Sequence, residues 1–179
     1  VAGIQTHSIT TGQYQMVMTQ ANLAPFDNPL VRKAFKYILN RKPLIASALL
    51  GQGSLGNDMP LPPTSPYLPK VEQHDQDLAK AKALLEEAKV GPLNLELFTS
   101  SERPPSQKIA LSMKQEAAKL GIEINVRDIP FTEYASNVSR KKPFYTVQWS
   151  TYPTLYDNVY LMYRSGASRN YGGVENAPG

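Results

Sequence analysis

Cysteine is absent from the chain, and only two histidines, His7 and His74, occur among its 179 residues. The lack of cysteine excludes disulfide bonds, thiolate nucleophiles and cysteine–zinc sites. The two histidines stand in no cluster with metal-ligand spacing, so we expect structural histidines, no metal site and no cofactor. The sequence motifs of serine hydrolases, phosphate-binding loops and zinc proteases are also missing, and we therefore expect a protein that is not an enzyme.

Long apolar runs and a strong charge of one sign are missing as well. No segment reaches the roughly 18 consecutive apolar residues that predict a membrane-spanning helix. The net charge is only +4, and the densest cationic run is Arg140-Lys141-Lys142. We interpret this run as a solvated turn rather than a nucleic-acid-binding patch, so no nucleic-acid partner is expected.

The composition that remains is that of one globular domain, with 41% hydrophobic and 19% charged residues. β-Prone residues predict a strand at 14–19. From residue 93 onward, alternating apolar positions predict strands at 93–98, 122–126 and 144–149, separated by helical patterns. This alternation favours an α/β fold, a central mixed sheet flanked by helices.

Residues 24–51 predict two short helices in succession. Asp27 or Asn28 can cap the first, and Pro29 suits its first turn. Asn40 can cap the second, after which Gly51 suits a left-handed position. The apolar positions of the two helices predict inward stripes at Leu30, Val31, Ala34, Phe35, Ile38 and Leu39, and at Leu44, Ile45, Ala48 and Leu49.

Several segments resemble one protein family in their amino-acid sequence. Residues 24–51 resemble the "APFDN" block of the family 5 extracellular solute-binding proteins, the peptide receptors of bacterial ABC importers. The helix that we expect Asp75 to cap, with its Ala-Lys-Ala-Lys-Ala-Leu-Leu-Glu-Glu-Ala stretch, resembles another family segment, and so do Met59–Pro63 and the strand after Gly121. The resemblance runs from about Tyr14 to about Tyr171.

The resemblance implies a periplasmic-binding-protein-like lobe, the second of two in a receptor about three times as long. The single domain 1–179 would consist of a lead-in and crossover strand (1–20), a helical corner (24–51), a proline-rich loop (52–74) and an α/β core (75–171). The chain begins at Val1 without the pattern of a secretion signal, which predicts a processed or excised piece. The family further implies a periplasmic or extracellular monomer that meets the membrane through the permease of its transporter.

Two loops at predicted strand ends carry the candidate ligand-binding residues. In open α/β sheets, ligands bind at the carboxyl ends of strands. Arg103, in Ser-Ser-Glu-Arg-Pro-Pro, stands where the resembled receptors place an arginine that holds a peptide carboxylate, and Ser101 accompanies it. The alternative for Arg103 is an exposed arginine at a helix start. Pro105 departs from the family pattern, which has a tyrosine there.

The second loop follows the strand that contains the only tryptophan. Trp149 matches a cleft-lining tryptophan of the family, and Thr151 and Tyr152 follow it. Tyr152 stands where the peptide receptors have an aspartate for the peptide ammonium, and a buried ammonium needs such a carboxylate. This difference speaks against a simple dipeptide ligand. In the helix predicted at 154–164, Tyr156, Tyr160 and Tyr163 share one face, for which we expect packing.

The functional hypothesis is a receptor that binds a peptide or peptide-like solute and delivers it to an ABC permease. A receptor of the same family for an opine, a sugar or a metal chelate is the first alternative. A carboxylate-based α/β hydrolase and an RNA-binding sheet are the others, although Glu86 and Glu87 diverge on one helix and the chain has no RNA-binding aromatic motif.

Overall fold

The computed structural model describes residues 3, 5, 11–61 and 65–175. In these parts the chain forms, in order, β1 (Gln13–Thr19), α1 (Pro29–Ile38), α2 (Arg41–Leu49), α3 (Leu78–Glu87), β2 (Asn94–Thr99), α4 (Pro104–Ala118), β3 (Glu123–Asp128), α5 (Phe131–Asn137), β4 (Phe144–Ser150) and α6 (Leu155–Tyr163). The predicted α/β class is confirmed. His7 and most of the predicted lead-in lie outside the described residues.

The strands form one mixed sheet in the order β1-β4-β2-β3. β2 runs parallel to both β3 and β4, whereas β1 pairs with β4 antiparallel, from Gln13 opposite Ser150 to Thr19 opposite Phe144. Because β2 and β4 are parallel neighbours, their carboxyl ends meet at the same edge of the sheet. Since Phe98 pairs with Tyr145, the loop after Thr99 leaves the sheet beside the second half of β4, which continues to Ser150.

Apolar side chains cover both faces of the sheet. On one face, α1 to α4 pack on β2, β3 and the start of β4, and Phe26, Phe35 and Phe144 meet there with ring centroids 5.0–5.4 Å apart. On the other face, Tyr134 of α5 and Val138 directly after it pack against Phe98 of β2 and against Tyr145 and Val147 of β4. The central strands are thus buried on both sides, as in other α/β proteins.

The helical corner forms largely as its sequence predicts. Asn28 Oδ1 accepts a hydrogen bond from the Leu30 amide at 2.9 Å, and Pro29 begins α1. Five of the six predicted inward residues of α1 are buried, and Leu30 is half-buried. In α2 only Ala48 is buried, and the other three predicted residues are half-buried. Gly51 has φ of 79°, the predicted left-handed conformation.

The predicted cap of α3 is wrong by two residues. Asp77, not Asp75, precedes the helix, and its Oδ1 accepts a hydrogen bond from the Lys80 amide at 2.8 Å. The Asp77 amide donates to the Tyr37 carbonyl at 2.9 Å, which fixes where α3 starts against α1. Asp75 instead pairs with Lys42 at 2.8 Å.

The start of α5 has no side-chain cap of its own. The helix begins at Phe131 after Pro130, which offers no side-chain hydrogen bond to the helix end. The Phe131 amide donates instead to Glu102 Oε1 at 2.9 Å, so a carboxylate from the loop after β2 satisfies this helix end.

The prediction that the tyrosine face of α6 packs in the core is wrong. Tyr156, Tyr160 and Tyr163 are all exposed. The opposite side of α6 faces the domain, where Met162 is buried and the Asn158 amide group bonds the backbone of Tyr152 and Thr154. These polar bonds fix the rotation of α6, and its aromatic stripe therefore points away from the core.

The proline-rich loop contains no helix or strand in its described parts, 52–61 and 65–74. Arg41 of α2 holds it through an ion pair with Asp58 at 2.8 Å and a hydrogen bond to the His74 carbonyl at 2.6 Å. The His74 ring packs edge-on against Tyr37 at 5.4 Å, and its amide donates to Asn57 Oδ1. His74 thus serves the structural role expected of it.

Within the described ranges, no helix has both the length and the apolar character needed to span a membrane.

Candidate functional site

A cavity of about 190 Å³ opens where the carboxyl ends of β2 and β4 meet. Its walls come from the loop after β2, the start of α4, α5, the turn before β4, the second half of β4 and the chain after α6. The lining residues are Ser100, Arg103, Ser106, Phe131, Tyr134, Ala135, Ser139, Arg140, Thr146, Val147, Gln148, Trp149 and Tyr171. A complete pocket for a small ligand usually measures about 300–1,000 Å³, so this cavity has the size of part of a binding site.

Arg103 lies at the rim of the cavity, half-buried, directly before α4. Its amide donates to the Ser100 carbonyl at 3.0 Å, and its carbonyl accepts from the Ser106 amide at 2.9 Å, so the backbone is fixed on both sides. The guanidinium stacks 4.3 Å above the Phe131 ring. It makes no hydrogen bond or ion pair with the residues that the structure describes, which leaves its donors to the cavity.

Two further donors in the cavity wall are buried without a partner among the described residues. They are Ser100 Oγ, in a side chain only 3% exposed, and Trp149 Nε1. Buried polar atoms are nearly always hydrogen-bonded, and leaving one unpaired costs about 1–3 kcal/mol. The two atoms are therefore placed to receive a hydrogen-bonding group from outside the domain.

Aromatic rings form one side of the cavity. The Trp149 ring lies 4.9 Å from the Tyr171 ring and 6.2 Å from the Tyr152 ring. Tyr152 supports Trp149 from behind but does not line the cavity, and its own ring is covered by Arg169 at 4.5 Å. The wall can therefore offer both flat apolar surface and an N–H donor to a ligand.

Ser101 and Thr151 lie apart from the cavity. The Ser101 amide donates to Asp128 Oδ1 at 2.7 Å, and the residue is exposed. Thr151 binds the Gly12 carbonyl through both its amide and its hydroxyl, each at 2.7 Å. Of the five predicted site residues, the structure brings Arg103 and Trp149 together in the cavity wall, with Tyr152 behind them.

The electrostatic character of the cavity is cationic. Arg103 and Arg140 line it, and no carboxylate is among its lining residues in the described part of the chain. The nearby acids are engaged, because Asp128 accepts from Ser101 and Gln107, and Glu102 accepts from the Phe131 amide. Such a site favours a ligand that brings negative charge.

The tyrosines of the cavity stay protonated at neutral pH. Burial raises the pKa of the Tyr134 hydroxyl far above its usual range, and this hydroxyl donates to the Thr146 carbonyl. Burial also raises the pKa of Tyr171, against the opposing effect of Arg140. Neither group contributes an anion that would neutralise the arginines.

Sequence reasoning missed most of the cavity wall, notably Ser100, Tyr134 and Arg140. Ser100 is the neighbour of the predicted site residue Ser101. Its position directly after a buried strand is the sequence signal that could have identified it as a cavity residue. Arg140 was assigned to a solvated turn within a cationic run, and nothing local in the sequence connects it with Arg103. Tyr171 also lines the cavity.

The arrangement does not suit a metal ion. In the described ranges, no group of three or more histidine, cysteine, aspartate and glutamate side chains could hold one. The cavity instead offers guanidinium, hydroxyl and indole donors, which bind anionic and polar organic groups.

Comparison with known proteins places this geometry in a family. Residues 2–171 match the family model for bacterial extracellular solute-binding proteins, family 5 middle region. The glutathione-binding protein GsiB of Salmonella choleraesuis is 30% identical over 139 residues, which are 77% of this chain and 26% of the relative. The chain thus spans about a quarter of the length of the curated relatives that it matches.

Two solved structures have the same fold. NikA from Staphylococcus aureus, in complex with Ni(L-His)2, superposes with a TM-score of 0.82 at 21% identity, covering 93% of this chain and 36% of that protein. The dipeptide binding protein of Pseudoalteromonas sp. SM9913, in complex with Met-Leu, gives a TM-score of 0.77 at 21% identity, covering 90% and 33%.

Proteins of this family are the solute-binding components of ABC transporters and are not enzymes. The family match covers nearly the whole described chain, and the fold agrees with it. The chain belongs to the family 5 bacterial extracellular solute-binding proteins.

Proposed function

We propose that this chain is one lobe of a two-lobed receptor that binds a small peptide-like solute through a carboxylate and delivers it to an ABC permease. The observation that carries the proposal is the set of unpartnered donors around one cavity: the Arg103 guanidinium, Ser100 Oγ and Trp149 Nε1. A carboxylate accepts several hydrogen bonds at once, and arginine can bind it with two parallel ones.

The position of the cavity supports a binding role. It lies outside the carboxyl ends of two parallel strands, where ligands bind in open α/β sheets. It is smaller than a complete ligand pocket, as expected if a second lobe supplies the opposite wall. Two lobes that close around a solute by a hinge motion would complete the site and change the outer shape that a permease recognises.

The relatives support a peptide-like solute. GsiB is named for glutathione, and the Pseudoalteromonas protein was solved with Met-Leu. In this account the receptor works outside the cytoplasmic membrane and carries its solute to the transporter there. The chain has Tyr152 where the resembled peptide receptors have an acid, and this favours a solute whose ammonium group, if it has one, is not bound by this lobe.

A non-peptide solute is the second candidate ligand, and the position of the cavity at the strand ends supports it equally. NikA shares the fold and was solved with Ni(L-His)2, so the fold accommodates ligands that are not peptides. The Trp149 and Tyr171 rings, which both line the cavity, would suit a planar or aromatic group of such a ligand.

A binding experiment with paired ligands tests the proposal. The full-length receptor is titrated calorimetrically with short peptides and with the same peptides amidated at the C-terminus. We expect amidation to weaken binding at least about tenfold, since it removes the charged acceptor of Arg103. Equal affinity for acid and amide would contradict carboxylate recognition.

The 179-residue chain offers an independent signal, because Trp149 is its only tryptophan. Its emission reports directly on the cavity wall, and millimolar ligand should shift or quench it. An emission spectrum that is the same with and without saturating ligand would place the binding site elsewhere.

A further inference from the structure

A second arginine shares the cavity with Arg103. Arg140 lines the cavity from the turn between α5 and β4. Arg41 and Arg127 are neutralised by ion pairs with Asp58 and Glu96, whereas neither cavity arginine has a carboxylate partner among the described residues. The cavity therefore holds two uncompensated positive charges.

The backbone of Arg140 is held in place by the core. Its φ of 63° is left-handed, an uncommon conformation for a residue with a side chain. The Arg140 amide donates to the hydroxyl of Tyr145 at 3.2 Å, and that residue is fully buried. Arg140 thus projects from a fixed point at the cavity edge.

The Arg140 side chain is oriented but not saturated. One of its terminal nitrogens donates to the Ser168 carbonyl, and its guanidinium carbon lies 5.9 Å from the centre of the Tyr171 ring. A guanidinium has five N–H donors, so several remain for a ligand. Contacts of this kind reduce the entropy that the side chain loses when a ligand binds.

The two arginines flank opposite ends of one helix. Arg103 stacks on Phe131, the first residue of α5, and Arg140 follows shortly after Asn137, its last. The two guanidinium groups therefore have different neighbours, Phe131 for Arg103 and the Ser168 carbonyl and Tyr171 ring for Arg140. They offer two separate points at which the cavity can bind negative charge.

We propose that Arg140 is a second anion-binding residue of this cavity, and that the solute carries two negatively charged groups, one bound at Arg103 and one at Arg140. The inference rests on the proposed function, which it narrows from a carboxylate-bearing solute to a dianionic one. The absence of any carboxylate in the described cavity wall agrees with it, since no group there repels a second negative charge.

Pairs of nearly isosteric ligands isolate the contribution of the second negative charge to the affinity. The peptides Glu-Ala-Ala and Ala-Glu-Ala are compared with Gln-Ala-Ala and Ala-Gln-Ala, and suberate with its monoamide, in calorimetric titrations of the full-length receptor at fixed salt. In each pair the two compounds differ by one carboxylate. We expect the dianion of at least one pair to bind about tenfold tighter or more.

Three variants test whether Arg140 is responsible for the preference for dianionic ligands. Arg140→Gln should abolish it, so that the two members of each pair bind with equal affinity. Arg140→Lys should retain part of it, because it keeps the charge. Lys141→Gln is the matched control, since it removes the same charge from the adjacent residue, whose ammonium bonds the Ser136 carbonyl outside the cavity wall, and should leave the preference intact.

The outcomes separate this inference from the proposed function. If wild-type receptor binds both members of every pair equally, or if Arg140→Gln behaves like Lys141→Gln, the second anion site is refuted. Should Arg103→Gln still weaken all probes in that case, carboxylate recognition stands. Failure of every probe to bind the wild type would overturn both.

Discussion

Replacement of Arg103 by glutamine tests the candidate site with the least disturbance of the fold. The side chain is half-buried, and its one contact with the described residues is the stacking on Phe131 at 4.3 Å. Loss of that cation–π contact should cost only about 0.5–1 kcal/mol of stability. Loss of a charge-assisted bond to a ligand carboxylate costs about 1.5–3 kcal/mol, or roughly 10- to 150-fold in affinity.

Arg164→Gln is the matched control for this experiment. Arg164 also stacks on an aromatic ring, 4.4 Å from the centre of Tyr160, and it lies outside the cavity. Both variants lose one positive charge and one cation–π contact, and Arg164→Gln also loses an exposed hydrogen bond to the Tyr160 hydroxyl. The melting temperature of Arg103→Gln should therefore fall by no more than that of Arg164→Gln. Only the Arg103 variant should lose affinity, as measured by isothermal titration of the full-length receptor with its solute.

Two results would contradict a direct contact between Arg103 and the ligand. Unchanged affinity in Arg103→Gln would remove the residue from the site. An equal loss of affinity in Arg103→Gln and Arg164→Gln would show a general effect of charge rather than a contact.

Three further predictions concern the domain that positions the site. Phe144→Ala should destabilise it by about 3–5 kcal/mol in chemical denaturation, because the ring is fully buried against two others. Gly173→Ala should be strongly destabilising, because a Cβ there would lie 2.3 Å from the side-chain oxygens of Gln20 and Asn22, in a backbone with φ of 62°. Stability should fall as the pH rises above about 10. Burial raises the pKa of Tyr145 from 10.0 to about 12 and those of Tyr14 and Tyr134 further, so the unfolded chain loses these protons first, each at up to about 1.4 kcal/mol per pH unit.

Two of these predictions have a matched control, and the third has a clear contradicting result. Gly166→Ala meets the same backbone strain, with φ of 68°, but no neighbour within 4 Å, so it should cost clearly less than Gly173→Ala; equal costs would contradict the clash. Tyr145→Phe should make the alkaline decline shallower, whereas Tyr67→Phe, at a 64% exposed residue, should not change it. A Phe144→Ala variant as stable as the wild type would contradict the packing of α1 on the sheet.

The parts of the fold that were predictable are those set by neighbours in sequence. Asn28 and Pro29 begin α1 as expected, because cap and first turn interact within a few residues. The cap of α3 was not predictable in this way, since Asp75 and Asp77 are both suitable residues. The hydrogen bond from the Asp77 amide to Tyr37, distant in sequence, decides between them.

The orientation of α6 shows a similar limit. The spacing of its tyrosines predicts that they share a face, and they do, but spacing alone does not reveal what lies against that face. The bonds from Asn158 to the backbone of Tyr152 and Thr154 set the rotation, and they depend on the course of the preceding loop.

The candidate site was half predictable for the same reason. Arg103 and Trp149 follow or end parallel strands, so their proximity could be inferred from strand order. The Arg140 side chain is held at the cavity by the Ser168 carbonyl, which lies 28 residues further along the chain. Sequence pattern carries no trace of such a contact.

The structure of the full-length receptor with its natural solute bound would show directly whether Arg103 binds a carboxylate of that solute. We expect a carboxylate of the solute within about 3 Å of the Arg103 guanidinium and within hydrogen-bond reach of Trp149 Nε1 or Ser100 Oγ. A solute that is bound elsewhere on the receptor, with these donors still unpaired, would contradict it.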